Sequence, residues 1–172
     1  MKNQSVGQKP AGKKWRAIFL ALLSLALLAG LVATMLRASD HRVELRSALM
    51  ARDHARLEKL LRDHPGLVDV ELPNRSAKDT WSPLHLAACL GDPETIQILT
   101  AHKARVNARD SNGLTPLHYT VAQHRYENAE MLINKSADLN AKGRDGHTPL
   151  DLAKNLRDQR LIEMFRIRGA KE

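Results

Sequence analysis

The chain has 172 residues, with 27 Lys and Arg against 19 Asp and Glu and a formal charge of +8. Aromatic residues make up only 3% of it, so a core has to come from Leu, Ile, Val and Ala, which suits helices packed closely through small side chains. The single cysteine, Cys89, excludes an intramolecular disulfide and any cysteine-based zinc site.

The charge is unevenly placed. Six of the bases and none of the acids fall in residues 1–37, which leaves 21 bases against 19 acids in the remainder. Residues 1–16 form a basic arm. This arm precedes an apolar run and lacks interleaved aromatics, so it reads as a topology signal rather than a nucleic-acid footprint, and no nucleic-acid partner is expected.

Residues 17–36, "AIFLALLSLALLAGLVATML", are 20 residues without a charge. As a helix they span about 30 Å, the thickness of a hydrocarbon core. Trp15 stands at the near end, where an amphipathic ring favours the interface, and Arg16 and Arg37 bracket the run. The run predicts one transmembrane helix and a lipid bilayer as a partner. It exceeds the ~7–15 apolar residues of a typical signal-peptide core, so an uncleaved signal-anchor is expected, with cleavage and a secreted soluble product as the alternative. A short, unmixed basic arm stays in the cytoplasm, which predicts a single-pass protein with its C-terminal domain in the periplasm or another exterior space. Residues 37–42 read as a short linker.

From there the chain repeats itself. "SPLHLAACLGD" (82–92), "TPLHYTVAQHR" (115–125) and "TPLDLAKNLRD" (148–158) place Pro83, Pro116 and Pro149 at a step of 33 residues. Leu84, Leu117 and Leu150 keep that step, as do Asn107 and Asn140. A fixed period of this size means stacked structural units. Ser82, Thr115 and Thr148 are helix N-caps followed by Pro at the first helical position. A break follows near Gly91, His124 and Arg157, and a second helix then carries Ile96, Ile98 and Leu99, or Ala129, Leu132 and Ile133, or Leu161, Ile162 and Phe165 at helical spacing. Asp92 is a candidate cap for the first of these. Asn112-Gly113 and Asp145-Gly146 mark tight turns between units.

Helix, helix and hairpin loop, with T-P-L-H-x-A at a 33-residue period, resembles the ankyrin repeat; "NARDSNGLTPLH" (107–118) is the most specific stretch. The resemblance implies an all-α fold, an ankyrin-repeat solenoid of about four helix-turn-helix units with hairpin loops, preceded by the transmembrane helix. The repeat domain spans residues 43–170, with units near 43–76, 77–108, 109–141 and 142–170. The first unit, "ELRSALMARDHARLEKLLRDHPGLVDV" (44–70), aligns at a shift of 39 rather than 33, so a long loop is expected within 70–79. Two departures stand out. Lys103 and Ser136 occupy positions where such repeats place a left-handed glycine, and Gly143 replaces the hairpin aspartate seen at Asp110.

The resemblance also implies that His85 and His118 are structural hydrogen-bonding groups joining neighbouring loops rather than metal ligands, and that Asp151 can replace the histidine in the last unit because nothing lies beyond it. His85 and Cys89 are four residues apart and can share a helix face. No orienting third group or oxyanion feature accompanies them, so Cys89 reads as a small apolar side chain. No phosphate loop, zinc-protease helix or G-x-S-x-G is present. No catalysis, metal or cofactor is expected.

What the resemblance implies is a surface for a protein partner. Carried over by position, the hairpin tips are Trp81, Ser111, Asn112, Leu114, Arg144, Asp145 and His147, and the inner-helix positions are Cys89, Leu90, Ala122, Gln123, Asn155 and Leu156. Trp81, Leu90, Leu114 and Leu156 are expected to form an exposed apolar stripe. The leading expectation is a membrane-anchored module for protein–protein interaction. A secreted soluble repeat protein is the second reading, and a metal- or thiol-dependent catalyst using His85, His118 and Cys89 the third.

Overall fold

The computed structural model describes residues 41–73 and 79–171. The basic arm, the transmembrane run and most of the linker lie outside the described residues. Residues 41 and 42, read as linker, are already helical: the first helix, α1, covers residues 41–51. The other helices are α2 (His54–Asp63), α3 (Pro83–Leu90), α4 (Pro93–Ala101), α5 (Pro116–Ala122), α6 (Tyr126–Asn134), α7 (Pro149–Asn155) and α8 (Gln159–Ile167), with a 3-10 turn at Pro65–Asp69. None of the described helices is long and apolar enough to cross a membrane.

The helices stack as pairs in two layers. Inner helix α3 packs on α5 and α5 on α7, while outer helix α2 packs on α4 and α4 on α6. Each inner helix packs on the outer helix that follows it. The repeated leucines Leu84, Leu117 and Leu150 are essentially without solvent contact, and Ile96, Leu99, Leu132, Leu161 and Phe165 close the core from the outer layer. In the first unit Leu45, Ala48, Leu49, Leu57, Leu60 and Leu61 play the same part, although it lacks the T-P-L-H motif.

The start of each inner helix follows from its motif. Pro83, Pro116 and Pro149 all sit at the first helical turn, where the missing N–H is no loss. The Ser82 backbone N–H donates to His85 Nδ1 (3.2 Å) and the Thr115 N–H to His118 Nδ1 (3.1 Å). The second ring nitrogen crosses to the next unit: His85 Nε2 donates to the Leu114 carbonyl (3.0 Å) and His118 Nε2 to the His147 carbonyl (3.2 Å). Both rings are buried, and burial lowers both pKa values below the ordinary histidine value. In the last unit Asp151 takes over the local role only, accepting from the Thr148 N–H (2.9 Å) and hydroxyl (2.8 Å).

Three features depart from or extend the sequence reading. The long loop after the first unit is pinned by a two-stranded antiparallel ladder, β1 (Leu72–Pro73) and β2 (Thr80–Trp81), with Leu72 opposite Trp81. Asp92 does not cap α4 through its side chain. Its carboxylate turns instead to His54 Nε2 of the first unit (2.7 Å) and to the Thr95 hydroxyl. Left-handed joints are more numerous than expected: Lys103 (φ 67°) and Ser136 (φ 64°) are joined by Arg52, His124 and Arg157 at φ 52–55°. These five, with Gly91 and Gly169, are the same two joints recurring along the chain.

Candidate functional site

The hairpin between the second and third units starts from one carboxylate. Asp110 Oδ1 accepts from the backbone N–H groups of Asn112 (2.9 Å) and Leu114 (2.8 Å), and Asp110 Oδ2 accepts from the Tyr119 hydroxyl (2.6 Å). Gly113, at φ 72°, completes the turn. Burial, with Asp110 beside it, pushes the Tyr119 hydroxyl well above its usual pKa, so it stays a donor. The Tyr119 ring then meets Trp81 of β2 at 4.7 Å between centroids and His85 edge-on at 5.6 Å. A hairpin tip, two inner helices and the β1–β2 ladder are thus tied through one aromatic pair.

That pair stands at a groove of about 560 Å³ lined by α1, the β-ladder, α3 and α5. Its apolar lining comes from Met50, Leu72, Pro73, Trp81, Leu86, Leu90 and Tyr119, and Arg46, Cys89 and Gln123 complete it. Trp81 Nε1 is buried and has no hydrogen-bond partner among the described residues. Arg46 donates to the Pro73 carbonyl at the hairpin side. Arg52 Nη2 donates to the Leu90 carbonyl (3.0 Å) and Arg125 Nε to the Cys89 carbonyl (3.3 Å), so two guanidiniums converge on the C-terminal end of α3, where the helix dipole favours cations. Arg125 lies flat over Gly91, where an added Cβ would come within 2.8 Å of it.

The expected site residues divide into groups. Trp81, Cys89, Leu90 and Gln123 line the groove together. Ala122 is exposed beside Gln123, and Asn155 and Leu156 are exposed at the end of α7. Ser111 donates to Asp79 Oδ1 (2.8 Å), linking successive hairpins, and the Asn112 carbonyl accepts from the Arg144 N–H (2.9 Å). Asp145 Oδ1 accepts from the His147 N–H (3.1 Å) within the last hairpin.

The expected apolar stripe does not form as an exposed surface. Trp81 and Leu90 are partly buried against the core, and Leu114 is drawn over the next hairpin, so of the four only Leu156, at 40% exposure, stands out. The same contact explains Gly143. A Cβ there would lie 2.8 Å from both the Leu114 and the Asp145 side chains, so a larger residue at 143 would have to displace the ends of both.

Cys89 is half-buried and burial pushes its thiol up to about 11, against a smaller opposing effect of Arg125. It is therefore protonated at neutral pH and a poor nucleophile. Among the described residues no group of His, Cys, Asp or Glu side chains is arranged to hold a metal.

Sequence reasoning missed Arg46, Met50, Leu72, Pro73, Leu86 and Tyr119 as lining residues. Tyr119 had a signal, because Leu86, Tyr119 and Leu152 share one register position of the inner helices. Arg46 and Met50 had none, since the first unit lacks the motif that sets the register.

Residues 45–143 match the family model for ankyrin repeats, in three copies. The chain belongs to the ankyrin-repeat family. A search of curated proteins finds no match. Ankyrin repeats are protein-interaction modules, and the groove lies on the inner-helix face of this ankyrin stack, between its first three units.

Proposed function

We propose that this protein is a single-pass, membrane-anchored ankyrin module that holds a protein partner near the bilayer and performs no catalysis. The observation that carries it is the groove, in which an aromatic pair, partly buried leucines and an unpartnered indole N–H meet on the inner face of an interaction fold. On this reading the partner touches Cys89, Leu90, Ala122, Gln123, Asn155 and Leu156 on the inner helices. It also touches the hairpin residues Trp81, Ser111, Asn112, Leu114, Arg144, Asp145 and His147. The residues a catalyst would use are committed elsewhere: His85 and His118 to inter-unit hydrogen bonds, and the Cys89 thiol to its protonated form.

The anchor rests on the uncharged run of residues 17–36 and the exterior placement of the stack on the unmixed basic arm before it. Cys89 is a poor topology probe because its thiol is half-buried. Glu127, which is exposed, is a better position. Glu127→Cys in a Cys89→Ala background should react with a membrane-impermeant maleimide in intact cells or spheroplasts. Labelling only after lysis would put the stack in the cytoplasm. Release of the protein by alkaline carbonate, with a mature N-terminus near Thr34 or Asp40, would replace the anchor with a secreted product.

A further inference from the structure

We infer that the groove takes an extended acidic segment of a partner protein, with one bulky apolar side chain seated between Met50, Trp81 and Leu90. This rests on the reading of the inner face as the docking surface and adds the chemistry of what docks there.

The inference is one of charge complementarity. Arg46 lines the groove, and Arg52 and Arg125 donate to the backbone carbonyls of two other lining residues, Leu90 and Cys89, at the end of α3. None of the three meets a carboxylate among the described residues; each is seen donating to a backbone carbonyl. Glu127 shares the neighbouring pocket beside Gly91 with Arg125, outside the groove, and three other nearby acids have partners of their own. Glu44 pairs with Arg56 (3.0 Å) on the other side of α1, Asp110 is held by Tyr119 and two backbone N–H groups, and Asp79 accepts from Ser111. The groove therefore offers one cation in its lining, two more guanidiniums bound to its α3 backbone and apolar surface within, and no acid lines it. A guanidinium with spare N–H groups favours a carboxylate that can accept two of them. Trp81, whose buried Nε1 has no hydrogen-bond partner among the described residues, lines the same groove. The chain's own first 37 residues are the wrong occupant, because they carry six bases and no acid.

The test is fluorescence anisotropy with the full-length protein in a non-ionic detergent. The probe is a fluorescein-labelled peptide of one leucine flanked on both sides by glutamates. The glutamate peptide should bind at least about tenfold more tightly than the same peptide with glutamines, and the lysine version should not bind. Affinity should fall between about 50 and about 300 mM salt, as expected for charges at a solvated rim. Replacing the leucine by serine should weaken binding by a similar factor. Gln123→Glu removes none of the contacts described here and should weaken the glutamate peptide, while Gln123→Lys should strengthen it. Arg46→Gln should weaken it with an unchanged circular-dichroism spectrum. Equal binding of the glutamine and glutamate peptides, indifference to the charge at position 123, or equal binding of a single-stranded oligonucleotide would each overturn the inference.

A photo-crosslinker at position 123, used in cells, separates this failure from failure of the docking surface itself. An adduct with an acidic segment of another protein supports the inference. An adduct with a neutral or basic segment, or with a second copy of this chain, overturns the acidic partner and leaves the surface standing. No adduct at 123, while a crosslinker at the exposed position 127 on α6 reacts, removes the inner face as the docking surface.

Discussion

Leu114 and Leu117 are three residues apart and do opposite work. Leu117 is fully buried between neighbouring inner helices, and Leu117→Ala should cost about 2–5 kcal/mol in urea unfolding. Leu114 is partly buried and its contact is the next hairpin, so Leu114→Ala should cost clearly less. A second residue-scale expectation concerns pH. His54 Nε2 lies 2.7 Å from Asp92, and its Nδ1 lies 3.2 Å from Glu94. The hydrogen bond to Asp92 outweighs desolvation and raises the His54 pKa above 6.5. A raised histidine contributes stability that is present below its unfolded value and is lost as pH rises through the folded one. Burial raises Asp92, but hydrogen bonds from His54 and Thr95 outweigh it and leave the carboxyl below its ordinary value of 3.8, so its contribution disappears only in acid. His54→Gln should therefore destabilise the protein below pH 6.5 and progressively less as the solution becomes alkaline. His85 and His118 run the other way. Their lowered values mean that acidification below 6.5 favours the unfolded chain, so replacing them should flatten the acid limb of the stability profile. The roles of these two rings were legible through the resemblance to the ankyrin repeat, and the structure shows each ring reaching a carbonyl 29 residues on. The exposure of Leu114 was not, because it depends on the absence of a side chain at Gly143, one unit away.

At the scale of elements, the sequence marked helix starts well and joints only partly. A Ser or Thr followed by Pro leaves the chain few other conformations, and all three predicted inner helices begin there. Left-handed residues at Lys103 and Ser136 were readable from the missing glycines, whereas Arg52, His124 and Arg157 came into view only with the backbone. A non-glycine in that conformation costs roughly 1 kcal/mol, so Lys103→Gly and Ser136→Gly should each raise the unfolding free energy by about that amount, measured by chemical denaturation. No change in either would mean that the side chains compensate through contacts. The β1–β2 ladder was not legible. Six extra residues announced a long loop, but nothing in its sequence marked the pairing of Leu72 with Trp81, whose ring packs on Tyr119 of another unit.

For the whole molecule, stability is a sum over units and their interfaces, as in other stacked folds. Residues 41–172 form a compact unit in themselves, so this fragment should be soluble and strongly helical by circular dichroism. A disordered spectrum would show that the stack needs residues 1–40 to fold. Truncation after His147 removes Leu150, Leu161 and Phe165 from the end of the core and uncovers the α5–α6 face they pack toward. The shortened protein should lose several kcal/mol and bind hydrophobic dyes. The division into four units was legible because the period recurs, while the groove was legible only along its α3 and α5 wall, since the opposing wall comes from a unit without the motif.

The stacked Trp81–Tyr119 pair also makes the protein its own optical instrument. The chain has two tryptophans, and Trp15 belongs to residues 1–40, so a chain trimmed to the stack emits from Trp81 alone. An indole half-shielded from water and 4.7 Å from a tyrosine ring collects that ring's excitation and reports the polarity at the mouth of the groove. Whatever enters the groove displaces water from that indole, and its arrival is written in the colour and lifetime of the emission without any label being attached.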